Sequence, residues 1–331
     1  MNNTITAVNG ILVGHQENKD AFTGCTAVLC EKGAIGGISQ RGGAPGTRDT
    51  DLLRPMHMVE KVHGIFLSGG SAFGLDAASG VMRYFEERNI GFKTEAGVVP
   101  IVPAAIIYDL SIGDATIRPD ADMAYRACQA ATTNPVVQGN FGAGCGATVG
   151  KILGGNQAMK SGTGSFCRDL GGGIMLGSLA IVNAFGDVID YQNRSIMAGA
   201  RSINKGPVKL GEEDFFANTL EMMLSFAGKK IMGFASKQNT IIGIIATNAI
   251  LNKEETNLLA SSASEGISLS IQPSFTMFDG DTVFSLATCR RKADINILRA
   301  FAPQVFAEAI RNAVLHAESA AGLPSAKDKM K

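Results

Sequence analysis

Three groups of residues in this 331-residue chain combine reactive side chains with a spacing that could put them to use. The first is Thr240. It follows the polar stretch Ser236-Lys237-Gln238-Asn239 and opens an almost unbroken apolar run, Ile241-Ile242-Gly243-Ile244-Ile245-Ala246. A β-branched run of this kind, bounded by polar and glycine signals, predicts a strand buried on both faces. Thr240 then stands at the mouth of a sheet, where a hydroxyl can meet a substrate. Cutting the bond Asn239–Thr240 would give Thr240 a free α-amine beside that hydroxyl. Such an amine titrates at roughly 7.7–8.0, so it could act as the base for its own hydroxyl. A threonine that merely opens a core strand is the plainer reading of the same residues.

The second group is Asp279-Gly280-Asp281. Two carboxyls two residues apart face the same side of an extended segment. They could orient the Thr240 amine or bind the amine of a substrate. Asp-Gly-Asp is also strong turn chemistry; as a calcium loop it lacks the further oxygen ligands. The third group is the glycine-rich run Gln138–Lys151. It is not a phosphate-binding P-loop, because Ile152 follows Lys151 where Ser or Thr is needed. Gly142, Gly144 and Ala147 do fit a dinucleotide turn, although no strong strand precedes them and no well-placed acid follows. A nicotinamide-dependent oxidoreductase using Gly142–Ala147 is therefore an alternative, as is a non-catalytic or unprocessed binding protein. Ser71 fails as a nucleophile elbow, since Phe73 stands where the second glycine belongs; it is expected to cap a helix. The four histidines (15, 57, 63, 316) are scattered without an HExxH pattern, which argues against a zinc hydrolase.

Composition narrows the class. Thirty basic and thirty acidic residues cancel, which leaves no electrostatic footprint for nucleic acid. Hydrophobic residues make up 45%, enough for a large core, and forty glycines announce tight turns and close backbone approaches. Six cysteines (25, 30, 128, 145, 167, 289) form no C-x-x-C pair and read as reduced core thiols of a cytoplasmic protein. The start of the chain has no basic or long apolar segment of a signal peptide, and no run is long enough to span a membrane.

The positioning elements follow from periodicity. Residues 4–40 predict a meander or hairpins of short strands around 11–13, 25–30 and 34–38. The glycine- and Arg/Asp-rich stretch 40–53 reads as a loop lining a polar cleft, or as a solvated turn held by ion pairs. A strand is expected at 62–67 and a helix at 72–88, with Phe73, Ala77, Val81 and Phe85 on one face and Gly91 as its stop. A loop across 97–110 leads into a buried strand presenting Tyr108, and a helix covers 120–131. Residues 160–165 and Gly171-Gly172-Gly173 are expected to bracket a strand pair, and 175–183 reads as a buried strand. Residues 200–211 read as a loop, and 212–227 as a helix within a linker that leads to Asn239. Asn252 and Glu255 predict a capped helix ending before Pro273. A last helix covers 294–321, interrupted near Pro303 and closed by Gly322.

Six segments, in order, carry a resemblance: TGCTAVLCEKGAIGGISQRGGAPGTRDTDLLRP (23–55), LSGGSAFGLDAASGVMRY (67–84), GVVPIVPAAIIYDL (97–110), GNFGAGCGATVGK (139–151), NTIIGIIATNA (239–249) and MFDGDTVFSLAT (277–288). Over nearly its whole length the chain resembles the DmpA-type aminopeptidases. That family takes in L-aminopeptidase/D-esterases, β-peptidyl aminopeptidases and nylon-oligomer hydrolases. The resemblance implies one α/β domain over 1–331, an αββα four-layer sandwich of the DmpA/ornithine-acetyltransferase-like type. It implies self-cleavage at Asn239–Thr240 into 1–239 and 240–331, with Thr240 as N-terminal nucleophile of an amide hydrolase or aminopeptidase. Asp279 and Asp281 match the paired acids of the nylon-hydrolase branch. Lys160 and Asn183 fall at that branch's lysine and asparagine, and Tyr108 at its tyrosine. On that basis Asn183 is the expected oxyanion donor, and Lys160 holds the nucleophile network or else lies on the surface. Cys145 and Cys167 depart from the small hydroxyl or alanine residues expected there. No cofactor or metal is implied, the partner is a small peptide or amide, and the assembly is a homotetramer. The acyl group stays open among α-, β- and D-amino acyl, nylon-oligomer and pantetheine-like amides.

Overall fold

The computed structural model describes residues 2–205, 208–211, 215–226, 228 and 239–329. Its centre is one long strand, Thr23–Gln40, which serves two half-sheets at once. Its first part pairs with Leu12–Asn18 on one side and with Lys61–Ser68 on the other; Ala104–Ile106 and Thr47–Arg48 continue that half. Its last part pairs with Thr282–Arg291, followed by Thr240–Ala249, Met175–Asn183 and Thr163–Asp169. The register shifts between Leu29 and Ala34, where Gly33 takes a φ of +76°, so the strand bends and carries the sheet over on itself.

Leu12–Asn18 and the start of Thr23–Gln40 form an antiparallel hairpin, but the runs expected as separate strands at 25–30 and 34–38 are one strand. Gly36 and Gly37 lie inside it, as expected of 34–38: a Cβ on Gly36 would come within 2.7 Å of Leu53, and one on Gly37 within 2.7 Å of the Thr256 backbone. These glycines mark close approach rather than turns.

The core confirms the four layers. Val28, Ile65, Leu67 and Ala105 of one half share a cluster with Leu179, Ile181, Ile242, Ile244, Phe284 and Leu286 of the other. Outside the second half, helices Lys253–Ser270 and Ile295–Leu315 pack on Leu176, Ile241, Ile245 and Val283. Outside the first half, helices Ala78–Glu86 and Ala121–Gln129 cover Ala27, Leu29 and Phe66. Thr240–Ala249 is thus buried along its whole length, its odd and even residues feeding different clusters.

The Asn252–Glu255 capping box forms as expected. Gly171, Gly172 and Gly173 turn the 163–183 hairpin with φ of +91°, +61° and +76°, values only glycine takes without strain. Other expectations need correction. Ser71 caps nothing by its side chain: a 3-10 turn, Ser71–Leu75, precedes the helix, and Gly70 is turned so that its N–H reaches Asp109. Phe73 is exposed under Arg118, while Ala77, Val81 and Phe85 are buried. Asn89, at φ +55°, is the left-handed residue after the helix rather than Gly91. Ile295–Leu315 runs through Pro303 without a break, held by its buried face of Leu298, Ala302, Val305, Phe306 and Ile310. It ends at Leu315, short of Gly322. Ile203–Lys205 pairs antiparallel with Val208–Leu210, and Thr219–Leu224 is helical, while both ends of the predicted 212–227 helix and residues 229–238 lie outside the described residues. No helix among the described residues is long and apolar enough to cross a membrane.

Helix Ile295–Leu315 lies directly on strand Thr163–Asp169 at Gly164, where a Cβ would stand 2.0 Å from the Ala309 carbonyl oxygen. Gly164→Ala should lower stability by about 1–3 kcal/mol, the usual cost of overpacking. Gly155→Ala, with open space at its Cβ, should stay within about 0.5 kcal/mol. Thermal unfolding of the two variants checks this.

Candidate active site

Three strand ends meet at one edge of the second half-sheet. Thr240 begins its strand directly opposite Asn183, the last residue of the antiparallel neighbour. On the other side the parallel neighbour begins at Thr282, which pairs with Ile242. Asp279 and Asp281 therefore lie in the turn entering that strand, as the turn chemistry of Asp-Gly-Asp allowed, rather than on an extended segment. The sheet delivers a hydroxyl, an amide and two carboxyls to one place.

The bond Asn239–Thr240 is buried, with Asn239 1% and Thr240 4% exposed. The Thr240 hydroxyl donates back to the Asn239 carbonyl oxygen at 2.5 Å. The same oxygen accepts the Gly280 N–H at 2.8 Å, and the Asn239 N–H donates to the Phe278 carbonyl at 3.2 Å. A Cβ on Gly280 would meet Thr240 Oγ1 at 2.9 Å and the Ala44 carbonyl oxygen at 2.6 Å, so only glycine lets this turn come so close.

The carboxyls are held by backbone. Asp281 Oδ1 accepts the Ile241 N–H at 2.7 Å and Oδ2 the Phe275 N–H at 3.2 Å. Asp279 Oδ2 accepts from the Thr276 N–H and hydroxyl at 3.0 and 2.6 Å. The loop expected to line a cleft with arginines instead clamps this turn by its main chain: Arg41 N–H donates to Asp281 O (3.1 Å) and Ala44 N–H to Asp279 O (2.8 Å). Arg41 itself stacks on Phe275, 4.4 Å from the ring centroid, and pairs with Glu265.

Asn183 is fully spoken for on its oxygen side. Its Oδ1 accepts from Lys151 Nζ at 2.7 Å and from the Thr148 N–H at 3.1 Å, and its carbonyl takes a second bond from Lys151 at 3.1 Å. Its Nδ2 donates to the Tyr108 carbonyl at 3.0 Å, so Tyr108 joins the cluster through its backbone, and one of the two Asn183 amide protons is already used. Lys160 is completely buried, not a surface lysine. Its ammonium rests on the Cys145 and Ala147 carbonyls at 2.9 and 2.8 Å, which fixes the turn whose next residues hold Asn183. The lysine that reaches Asn183 is Lys151. Its sequence signal was its place at the end of the glycine run, read only as a failed P-loop. Gly280 was hidden in the same way, between two acids that drew the attention.

Burial sets the charges. Desolvation first, then the neighbouring Asp279, raises Asp281 to about 8 against the pull of the Ile241 and Phe275 N–H groups. Desolvation also raises Asp279, opposed by Thr276, the Phe185 N–H and Lys151. Lys151 is lowered to about 7 by desolvation, with Lys160 adding to the shift and Asp279 and Asp109 opposing it. Lys160 is lowered to about 8 for the same first reason. Asp109, raised by burial, accepts from Thr23 (2.7 Å) and Gly70 (2.7 Å) behind them. Acids raised and lysines lowered toward neutrality can exchange protons at little cost.

Gly142–Gly144 is a 3-10 turn followed by the two-residue strand Thr148–Val149. No helix opens there to receive a pyrophosphate, so the dinucleotide alternative loses its structural basis. Cys145 and Cys167 are buried with raised thiol pKa values of about 11 and 12, desolvation being the main cause. Cys289, expected inside, is exposed. Among the described residues no group of three or more His, Cys, Asp or Glu is arranged to hold a metal ion.

Comparison with known proteins gives the chain a family. The pattern of Peptidase family S58 matches residues 3–327. An uncharacterized aminopeptidase of Mycobacterium leprae is 37% identical over 353 residues, covering 98% of this chain and 93% of that protein. A 6-aminohexanoate-oligomer endohydrolase of Kocuria sp. is 28% identical over 282 residues, covering 84% and 73%. Among solved structures, a β-aminopeptidase of Burkholderia sp. has a TM-score of 0.69 at 20% identity, covering 98% of this chain and 91% of that one. The L-aminopeptidase D-Ala-esterase/amidase of Ochrobactrum anthropi, described as a variant of the Ntn hydrolase fold, has a TM-score of 0.69 at 18% identity, covering 96% and 86%. Those two structures share the fold with this chain. The match across 3–327 and the mycobacterial relative go further: the chain belongs to peptidase family S58.

Proposed function

We propose that this protein is an autoprocessing amide hydrolase, an aminopeptidase, in which Thr240 becomes the N-terminal nucleophile once Asn239–Thr240 is cut. The observation that carries the reading is the arrangement around the Asn239 carbonyl: the Thr240 hydroxyl lies against it, and the Gly280 N–H is already bonded to its oxygen. Attack by Thr240 Oγ1 on that carbonyl carbon forms a C–O bond and puts negative charge on an oxygen with a fixed donor. A single such donor is typically worth about 10²–10³ in rate. The C–N bond then breaks, the hydroxyl proton passes to the departing Thr240 nitrogen, and water hydrolyses the ester.

Before the cut the Thr240 nitrogen is an amide and cannot act as a base. Proton movement then falls to the buried groups that titrate near neutrality, Asp281 on the adjacent Ile241 N–H and Lys151 on Asn183. After the cut the α-amine takes over. Asp281, one peptide away, orients it as the ammonium–amine pair cycles. The same attack on a substrate amide, with the amine returning the proton to the leaving group, completes turnover.

Denaturing electrophoresis should show wild-type protein as two bands, corresponding to 1–239 and 240–331. Thr240→Ala should stay whole and inactive, and Thr240→Ser should be cut, more slowly. Active wild-type protein that stays a single band would overturn the assignment.

The uncut Thr240→Ala protein also offers a pH test. Asp281 has a folded pKa raised from 3.8 to about 8, so the folded state holds its proton more tightly than the unfolded state. Its stabilisation is complete below pH 3.8 and is lost as pH rises toward 8. Lys151, lowered to about 7, adds stability only as pH rises above 7, so it does not mask the trend below that. The unfolding midpoint of Thr240→Ala should fall between pH 5 and 7. Adding Asp281→Asn should flatten that decline.

A further inference from the structure

We propose that the Phe278–Gly280 edge is the acyl-side subsite of this enzyme, and that it selects an α-amino acyl group by closing a one-residue parallel β-bridge on it. The inference rests on the hydrolase reading above and deepens it.

Asn239 marks the position. Its N–H donates to the Phe278 carbonyl and its own carbonyl accepts the Gly280 N–H, which pairs it with Asp279 as a parallel bridge. Both bonds are made by main chain. They ignore the side chain and read one thing, the spacing from nitrogen through a single Cα to the carbonyl. Self-cleavage passes through an ester between Thr240 Oγ1 and the carbonyl carbon of Asn239. Turnover passes through an ester between the same oxygen and the substrate's acyl carbon. The two esters differ only upstream of the carbonyl, so the groups that hold Asn239 are those a substrate acyl group meets once Asn239 has left.

In the substrate reaction the Oγ1–C bond forms as the scissile C–N bond breaks. The hydroxyl proton goes by way of the Thr240 amine to the leaving amine, and water then releases the acid. The substrate's own α-ammonium takes the place of the Asn239 N–H as donor to Phe278, and its scissile carbonyl takes the Gly280 N–H.

The edge cannot move to suit a longer group. Ala44 and Arg41 N–H bonds pin Asp279 and Asp281 from behind. A Cβ on Gly42 would stand 2.3 Å from the Asp279 carbonyl oxygen, which shows how tightly the two loops are pressed together. A β-amino acyl group inserts one more carbon, about 1.5 Å of chain, between donor and acceptor. A 6-aminohexanoyl group inserts four more than an α-amino acid has, one of which the β-amino acid already adds. Neither can make both bonds at once, and a propionyl group has no donor for Phe278.

The test uses cut wild-type protein and four p-nitroanilides: L-alanyl, β-alanyl, 6-aminohexanoyl and propionyl. L-alanyl should exceed each of the others in kcat/KM by about 100-fold, as expected when a ground-state bond and part of an oxyanion contact are lost together. β-Alanyl or 6-aminohexanoyl turned over as fast as L-alanyl would overturn the subsite while leaving the hydrolase intact. Propionyl equal to L-alanyl would overturn the Phe278 contact and the proposal with it. Cut protein that turns over none of the four would overturn the hydrolase reading and this inference together.

Discussion

Two carboxyls and two lysines packed out of water at one sheet edge would each cost several kcal/mol if left without partners. Here the cost is met almost wholly by main chain. Asp281 takes the N–H groups of Ile241 and Phe275, Asp279 the N–H and the hydroxyl of Thr276, and Lys160 the carbonyls of Cys145 and Ala147. Each of those backbone groups is placed by a strand end or a glycine turn, so the polar cluster and the layered fold define each other. Moving any one of the three strand ends would strand a buried charge.

This dependence explains where glycine occurs. Gly42 and Gly280 stand where two loops press on the acid turn, and Gly69 and Gly146 stand against the Asp109 side chain, where a Cβ would come within 2.0 Å of Oδ2 and 2.7 Å of the Asp109 Cβ respectively. The site is a place where backbone must come within hydrogen-bonding reach of buried side chains, and a Cβ would hold it off.

Much of this was legible beforehand. The apolar run after Thr240, the strand at 175–183, the Asn252 cap and the helix stop before Pro273 follow from local pattern, because one residue's environment there is set by its neighbours in sequence. The long bent strand was not legible. Glu31-Lys32-Gly33 looks like a turn between two short strands, and only the coordinates show the chain continuing through it as one bent strand. Lys151 was missed for a similar reason: its partner Asn183 lies 32 residues away, and nothing local distinguishes it from Lys160. The resemblance supplied the residue types at the site, while the assignment of the lysine to Asn183 needed coordinates.

The strand order carries one more consequence. Thr240–Ala249 is flanked by Met175–Asn183 on one side and Thr282–Arg291 on the other, and Thr282–Arg291 in turn pairs with Thr23–Gln40. The stretches before and after residue 240 are thus interdigitated within a single sheet. A break at that point would free neither piece, yet it would remove the covalent tether that lets the pieces find each other. Unfolding of the nicked molecule then becomes a dissociation, its reversal second order in the two fragments. The transition midpoint would depend on concentration, and cooling after melting would not retrace the heating curve.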